Sequence, residues 1–236
     1  MCGRFTLRTP LARVAEIFEL GPVPEWARLQ PPRYNVAPSQ AVAAVRWNAE
    51  KARRELVPLD WGLVPHWADD PAIGNKMINA RSETVATKPA FRDALRRRRC
   101  LVLADGFYEW QRQGSAKQPY YIRLKDQAPF AFAGLWDRWD KLGTLIESCT
   151  IITTTANDVL RPLHERMPVI LNRQQCAAWL AEGALETPAL QALLQPFPAE
   201  YMTAYPVGTV VNSPRHDVPQ CIEPAAKGKV QQSLFD

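Results

Sequence analysis

Apolar positions fall at two periods along the chain, and the two periods predict two kinds of element. TPLARVAEIFEL places Leu11, Val14, Ile17 and Phe18 on one face of a helix, with Thr9 as cap and Pro10 in the first turn. Pro22, Pro24, Pro31 and Pro32 then predict a surface loop. Between Gln40 and Gly62, QAVAAVRW and RRELVPLDWG predict two strands. KPAFRDALRRRR predicts a second helix, with Arg92, Arg96 and Arg99 on one stripe. A dense run follows: CLVLADGFYEWQ, PYYIRL, PFAFAGLW and SCTIITTT are β-branched, aromatic and separated by Gly, Pro or charged turns. A short helix is expected after Asn157, then the strand MPVIL. RQQCAAWLAEG predicts a helix ending at Gly183, and TPALQALL one ending before Pro196. Strands joined by short turns, with helices at the periphery, give an α+β fold with a mainly antiparallel sheet system. There is no repeat and no linker. The expected organisation is one domain over residues 2–222 and a small, polar, disordered tail over 223–236.

Composition narrows the chemistry. At 236 residues, with 47% hydrophobic and 22% charged residues, the chain can bury a substantial core. A net charge of +5 favours anionic partners without identifying one. Five cysteines without a C-x-x-C pair indicate neither a disulfide framework nor a zinc site, and point to a reducing, intracellular compartment. No apolar run reaches the length of a membrane span, and the start lacks a signal-peptide core. The three histidines, His66, His164 and His216, form no H-E-x-x-H pair, and Walker and GxGxxG loops are missing. Neither metal nor cofactor is expected.

The candidate chemistry lies in short segments, each with a plain structural alternative. In MCGRF, removal of Met1 would leave Cys2 with a free α-amine beside its thiol. Such an aminothiol can form a Schiff base with an aldehyde and close to a five-membered thiazolidine. Otherwise Cys2 is a small apolar strand residue. RYNVAPSQ offers Arg33 and Asn35 as donors, or is an ordinary Pro-containing loop. In DWGLVPHWADD, Trp61 reads as core, while core packing and base stacking weigh equally for Trp67. In INARSET, alternation puts Asn79 and Arg81 on one side, and Arg81 suits bidentate phosphate contact. In ADGFYEWQ, Glu109 lies between Tyr108 and Trp110. Desolvation there would keep its proton on to higher pH, whereas a solvent-facing strand glutamate would be ordinary. His164, before Glu165 and Arg166, suits proton transfer or helix-end capping.

Six segments, MCGRF, RYNVAP, WGLVPHW, INARSET, ADGFYEW and HERMPVIL, occur in the order seen in SRAP proteins, the SOS-response-associated peptidase family, and the chain resembles that family from Cys2 to about Ile222. The resemblance implies a single domain built on a strongly curved, barrel-like antiparallel sheet, crossed by a basic channel for single-stranded DNA. It implies covalent capture of abasic sites through Cys2, freed of Met1, as a thiazolidine that shields the lesion in the DNA damage response. By motif, Cys2 is the nucleophile, Asn79 a polar positioner, Glu109 an acid/base and His164 a second one. Arg4, Asn35, Arg81 and Lys88 hold phosphates or the DNA end. His66 and Trp67 match a loop that wedges the single-strand/double-strand junction, with His66 where a bulky apolar residue is usual. Peptidase or autopeptidase action, as in the family's name, and abasic-site lyase action are the alternatives. The tail segment QQSLF resembles peptides that dock on replication sliding clamps, through Gln231, Leu234 and Phe235. A cytoplasmic monomer, nucleoid-associated if bacterial and without membrane contact, completes the expectation.

Overall fold

The computed structural model describes residues 2–141, 143–181 and 187–226. One sheet has five strands: β1 (Phe5–Leu7), β2 (Arg33–Val36), β7 (Gly106–Gln113), β8 (Ala116–Leu124) and β13 (Met202–Pro206). Their order is β13-β8-β7-β1-β2, and every pairing is antiparallel. The other sheet has eight: β3 (Ala41–Asn48), β4 (Arg53–Trp61), β5 (Asn79–Arg81), β6 (Arg99–Ala104), β9 (Phe130–Lys141), β10 (Thr144–Thr155), β11 (Arg166–Pro168) and β12 (Ile170–Leu171). Its path runs β11-β10-β4-β3-β6-β9-β12, and β10 also pairs with β9, so β10, β4, β3, β6 and β9 close into a ring. Closure removes the open edges that a five-stranded sheet would otherwise present. β4 and β5 both run parallel to β10; the other pairings are antiparallel. The fold is α+β, as the sequence pattern leads one to expect, with the curved, barrel-like sheet that the family resemblance implies.

Strict alternation in the ring strands supplies two cores. Ala44, Val102, Phe132, Cys149 and Ile151 cluster with Phe5, Phe107 and Ile122 of the five-stranded sheet. Phe5 meets Trp61 at 5.1 Å between ring centroids and Phe132 at 5.8 Å. The opposite positions, Ala43, Val45, Leu101, Leu103 and Ala133, pack against the helices. These are α1 (Leu11–Ile17), α2 (Glu25–Arg28), α3 (Arg92–Arg97), α4 (Arg173–Trp179) and α5 (Thr187–Leu193). Burial on both faces explains the near-continuous apolar runs AVAAV, CLVLA and FAFAGL.

Several sequence expectations are corrected in detail. CLVLADGFYEWQ is two strands in two sheets, broken at Asp105. Helix α1 is not capped by Thr9, whose N–H and hydroxyl both donate to the Asp105 carboxylate. Helix α3 ends at Arg97, and Arg99 is a buried strand residue. Its guanidinium donates to the carbonyls of Leu95, Arg96, Trp179 and Ala181, so it is not part of a cationic stripe. The segment after Asn157 is a hydrogen-bonded turn, not a helix. Ala225 N–H donates to the Pro206 carbonyl and Pro224 bridges Val207, so packed chain continues past the expected boundary at 222. The rest of the tail, 227–236, lies outside the described residues.

Candidate functional site

Four distant segments meet at the N-terminus. Strand β1 sits between β2 and β7, with Phe5 opposite both Val36 and Phe107. Tyr108 N–H donates to the Arg4 carbonyl, which continues the ladder ahead of β1 and brings the first residues level with Glu109. At the other end of β1, the buried carboxylate of Asp105 accepts from Thr6 Oγ1, Arg8 N, Thr9 N and Thr9 Oγ1 at 2.6–3.0 Å. Gly106 is required beside it: a Cβ there would lie 2.1 Å from the Tyr121 hydroxyl, which itself hydrogen-bonds Thr6 Oγ1 at 2.9 Å. So anchored, β1 carries Cys2 into the core, where it is fully buried. Asn79 Nδ2 donates to the Cys2 carbonyl at 2.9 Å.

Asn79 is held in turn. Strand β5 lies parallel to β10, with Asn79 opposite Ile151 and Arg81 opposite Thr153. Asn79 and Arg81 therefore share a side, as alternation predicts, while Ala80 enters the helix-side core. Trp61 Nε1 donates to the Ile78 carbonyl at 2.9 Å and fixes the chain just before Asn79. Trp61 is fully buried, as expected.

Electrostatics ties Glu109 and His164 to the same place. Glu109 is 3% exposed. Burial pushes its carboxyl above the ordinary carboxylate range, and interaction with His164 offsets part of the rise. Burial, and after it Glu109, pushes the Cys2 thiol far up. His164 closes the turn after Asn157: its N–H donates to the Leu160 carbonyl, and its Nδ1 accepts from Arg166 N–H at 2.9 Å. Gln111, two residues beyond Glu109 on β7, donates to the Pro162 carbonyl at 3.2 Å and sews this turn to the strand. A thiol, a proton-retaining carboxyl and an imidazole around Cys2 can move protons during carbonyl addition. Among the described residues there is no group of three or more His, Cys, Asp or Glu suited to a metal ion.

The outer residues divide. Arg81 and Lys88 are exposed. Arg4 stacks over Trp110 at 5.9 Å and donates to Asn35 Oδ1 and the Val211 carbonyl, both at 2.8 Å. Asn35, expected among the DNA contacts, is fully buried, and its amide donates to the carbonyls of Val211, Ser213 and His216. Its reach toward any ligand runs through Arg4. The wedge-like loop begins at Gly62, whose φ of 141° and contact with the Gly74 backbone exclude a side chain. His66 N–H donates to Asp137 Oδ2 at 3.0 Å, and the His66 ring pairs with the same oxygen through Nδ1. Arg98 Nε lies 3.1 Å from Asp137 Oδ1. Trp67 is 46% exposed, which removes the core reading. Gln231, Leu234 and Phe235 lie outside the described residues. Sequence reasoning missed Asp105, Asp137 and the Glu83–Arg166 pair. Each is a charged residue inside a quoted segment or strand, and its value depends on partners far away in sequence.

A family model described as SOS response associated peptidase (SRAP) matches residues 1–214. The chain is 44% identical over 226 residues to a protein of Bacillus subtilis (strain 168) named Abasic site processing protein YoqW, covering 94% of this chain and 99% of that one. It is 35% identical over 238 residues to the Gallus gallus protein named Abasic site processing protein HMCES, covering 87% of this chain and 70% of that one. A crystal structure of a Bacteroides thetaiotaomicron protein superposes with a TM-score of 0.85 at 28% identity, covering 95% of this chain and all of the other.

Proposed function

Since the chain belongs to the SOS response associated peptidase (SRAP) family, we propose that it captures abasic sites in single-stranded DNA covalently through Cys2 after loss of Met1. The observation that carries this reading is the meeting of Cys2, Asn79, Glu109 and His164 from four separate segments. Relatives named abasic site processing proteins support the substrate class.

The chemistry follows from the pairing of an amine and a thiol on one residue. A free α-amine has a pKa near about 7.7–8.0 and is partly neutral at physiological pH. It attacks the ring-opened sugar aldehyde, forming the C–N bond of a carbinolamine. Glu109 protonates the carbinolamine hydroxyl, which leaves as water, and takes back the remaining N–H proton, giving an imine. The Cys2 S–H then adds across it: sulfur bonds to carbon, and the thiol proton passes to nitrogen. The product is a thiazolidine. Asn79 fixes the Cys2 carbonyl and with it the direction of both nucleophiles. Arg81, Lys88 and Arg4 supply sequence-independent, salt-sensitive affinity, and specificity comes from the aldehyde. His66 and Trp67 meet the junction with duplex DNA. Imine without ring closure acidifies the adjacent sugar carbon, so lyase action is the side reaction. Peptidase action is the second reading of the same nucleophile. Docking of Gln231, Leu234 and Phe235 on a sliding clamp would recruit the protein.

The test is intact mass after incubation with an oligonucleotide bearing one abasic site. A denaturation-resistant adduct that vanishes in Cys2→Ala is expected. Salt-reversible binding alone, or peptide cleavage without adduct, overturns the reading.

A further inference from the structure

We propose that His164 acts as a neutral hydrogen-bond donor locked in its Nε2–H tautomer, and that Arg166 and Glu83 are the residues that position it. The proposal rests on the reading of the site above. His164 Nδ1 accepts the Arg166 backbone N–H at 2.9 Å. An accepting Nδ1 carries a lone pair, so the neutral ring holds its proton on Nε2. Protonating Nδ1 would set N–H against N–H and cost the Arg166 amide its partner, in a residue only 8% exposed.

The Arg166 backbone cannot swing aside to allow that. Arg166 pairs with Thr155 across β11 and β10. Its guanidinium forks onto Glu83, Nη1 to Oε1 at 2.5 Å and Nη2 to Oε2 at 2.9 Å, and Nη2 also donates to the Thr153 carbonyl at 2.6 Å. Glu83 follows Asn79 and Arg81, and Ser82 N–H donates to the same Thr153 carbonyl. The fork therefore ties the Asn79 strand to the His164 turn. With Nδ1 occupied, Nε2–H is the ring's donor for the site, to which the Gln111–Pro162 hydrogen bond ties the His164 turn. Glu109 moves the protons; His164 stabilises the oxygen that gains negative charge. On this proposal His164 is a hydrogen-bond donor in place of the second acid/base that the family resemblance implies.

The test begins with 15N-histidine NMR on the full chain without DNA, so it stands apart from the capture reaction. At neutral pH the His164 ring should show a protonated Nε2 and an unprotonated Nδ1; an imidazolium or Nδ1–H pattern overturns the proposal. His164→Gln keeps an N–H donor at the ε position and cannot titrate. It should retain adduct formation within about tenfold of wild type, whereas His164→Ala should lose about 10²-fold. The Gln variant should keep the wild-type pH profile; disappearance of a limb from that profile assigns proton transfer to His164 and overturns the proposal. Glu83→Gln should mix the tautomers and slow adduct formation. Slower reaction with an unchanged tautomer overturns the positioning role of the pair.

Discussion

The Asn79 carboxamide donates to the Cys2 carbonyl across 2.9 Å, joining residues 77 positions apart in the chain. Asn79 Oδ1 is buried without a hydrogen-bond partner among the described residues. The side chain is thus held in a polar-unsatisfied state whose one made bond orients Cys2. Misplacement of a nucleophile by about 1 Å can cost about 10²-fold in rate. Asn79→Ala should lower the adduct rate by about 10–10²-fold while the folded protein persists by circular dichroism. Asn79→Asp should lose at least as much, because a carboxylate oxygen then faces the Cys2 carbonyl oxygen. A rate equal to wild type in both variants removes Asn79 from the site.

Asp105 anchors the strand that carries Cys2. It is fully buried and takes four hydrogen bonds from residues 6–9. Asp105→Ala leaves those donors without their acceptor and should destabilise the fold by about 3–5 kcal/mol in urea unfolding. Asp105→Asn keeps the shape and should lose less, yet its adduct yield should fall, since Thr9 N–H and the Arg8 charge no longer meet a carboxylate. An Asn variant with wild-type stability and yield contradicts this anchoring role.

Much of this arrangement is legible in the sequence. The runs AVAAV and CLVLA show both faces buried, and the two-residue spacing of Asn79 and Arg81 shows their shared side. What is not legible is pairing across long separations. ADGFYEW reads as one strand because nothing local marks Asp105 as a break. The break exists because Thr6, Arg8 and Thr9, about a hundred positions earlier, converge on that carboxylate. Asn35 and Arg99 look like ligand-facing groups by residue type. Their roles are set by carbonyls of Val211 and Trp179 that no local pattern announces. Glu109 is readable as a group beside bulky aromatics, but its burial to 3% exposure is set by the packing of distant segments.

Trp61, the last residue of β4, and Trp67, in the loop that follows, should respond oppositely. Trp61 is fully buried against Phe5 and hydrogen-bonded to the Ile78 carbonyl. Trp61→Ala should cost about 3–5 kcal/mol of stability and take Asn79 out of register. Trp67→Ala should leave the melting temperature nearly unchanged and weaken binding to DNA with a single-strand/double-strand junction by about 1–3 kcal/mol, the value of one lost base stack. Fluorescence anisotropy on junction and plain single strands checks this. Loss confined to the junction supports the wedge, and no loss on either strand removes Trp67 from the DNA contacts.

Glu109 couples the site to stability through its proton. Burial raises its carboxyl above the ordinary range in the folded state, while the unfolded chain holds it near about 4.3. Below that value both states are protonated and Glu109 costs the fold nothing. As pH rises past it, the unfolded chain releases the proton first, so folded stability falls until pH exceeds the raised folded pKa. Glutamine at this position does not titrate. Glu109→Gln should therefore be more stable than wild type at neutral pH, and the gain should shrink to nothing near about pH 4. The same variant should lose adduct formation, because the group that protonates the departing water is gone. Thermal melts of both proteins across the pH series provide the measurement. A stability difference that stays constant with pH, or favours wild type as pH rises, would show that the carboxyl is not held protonated by burial.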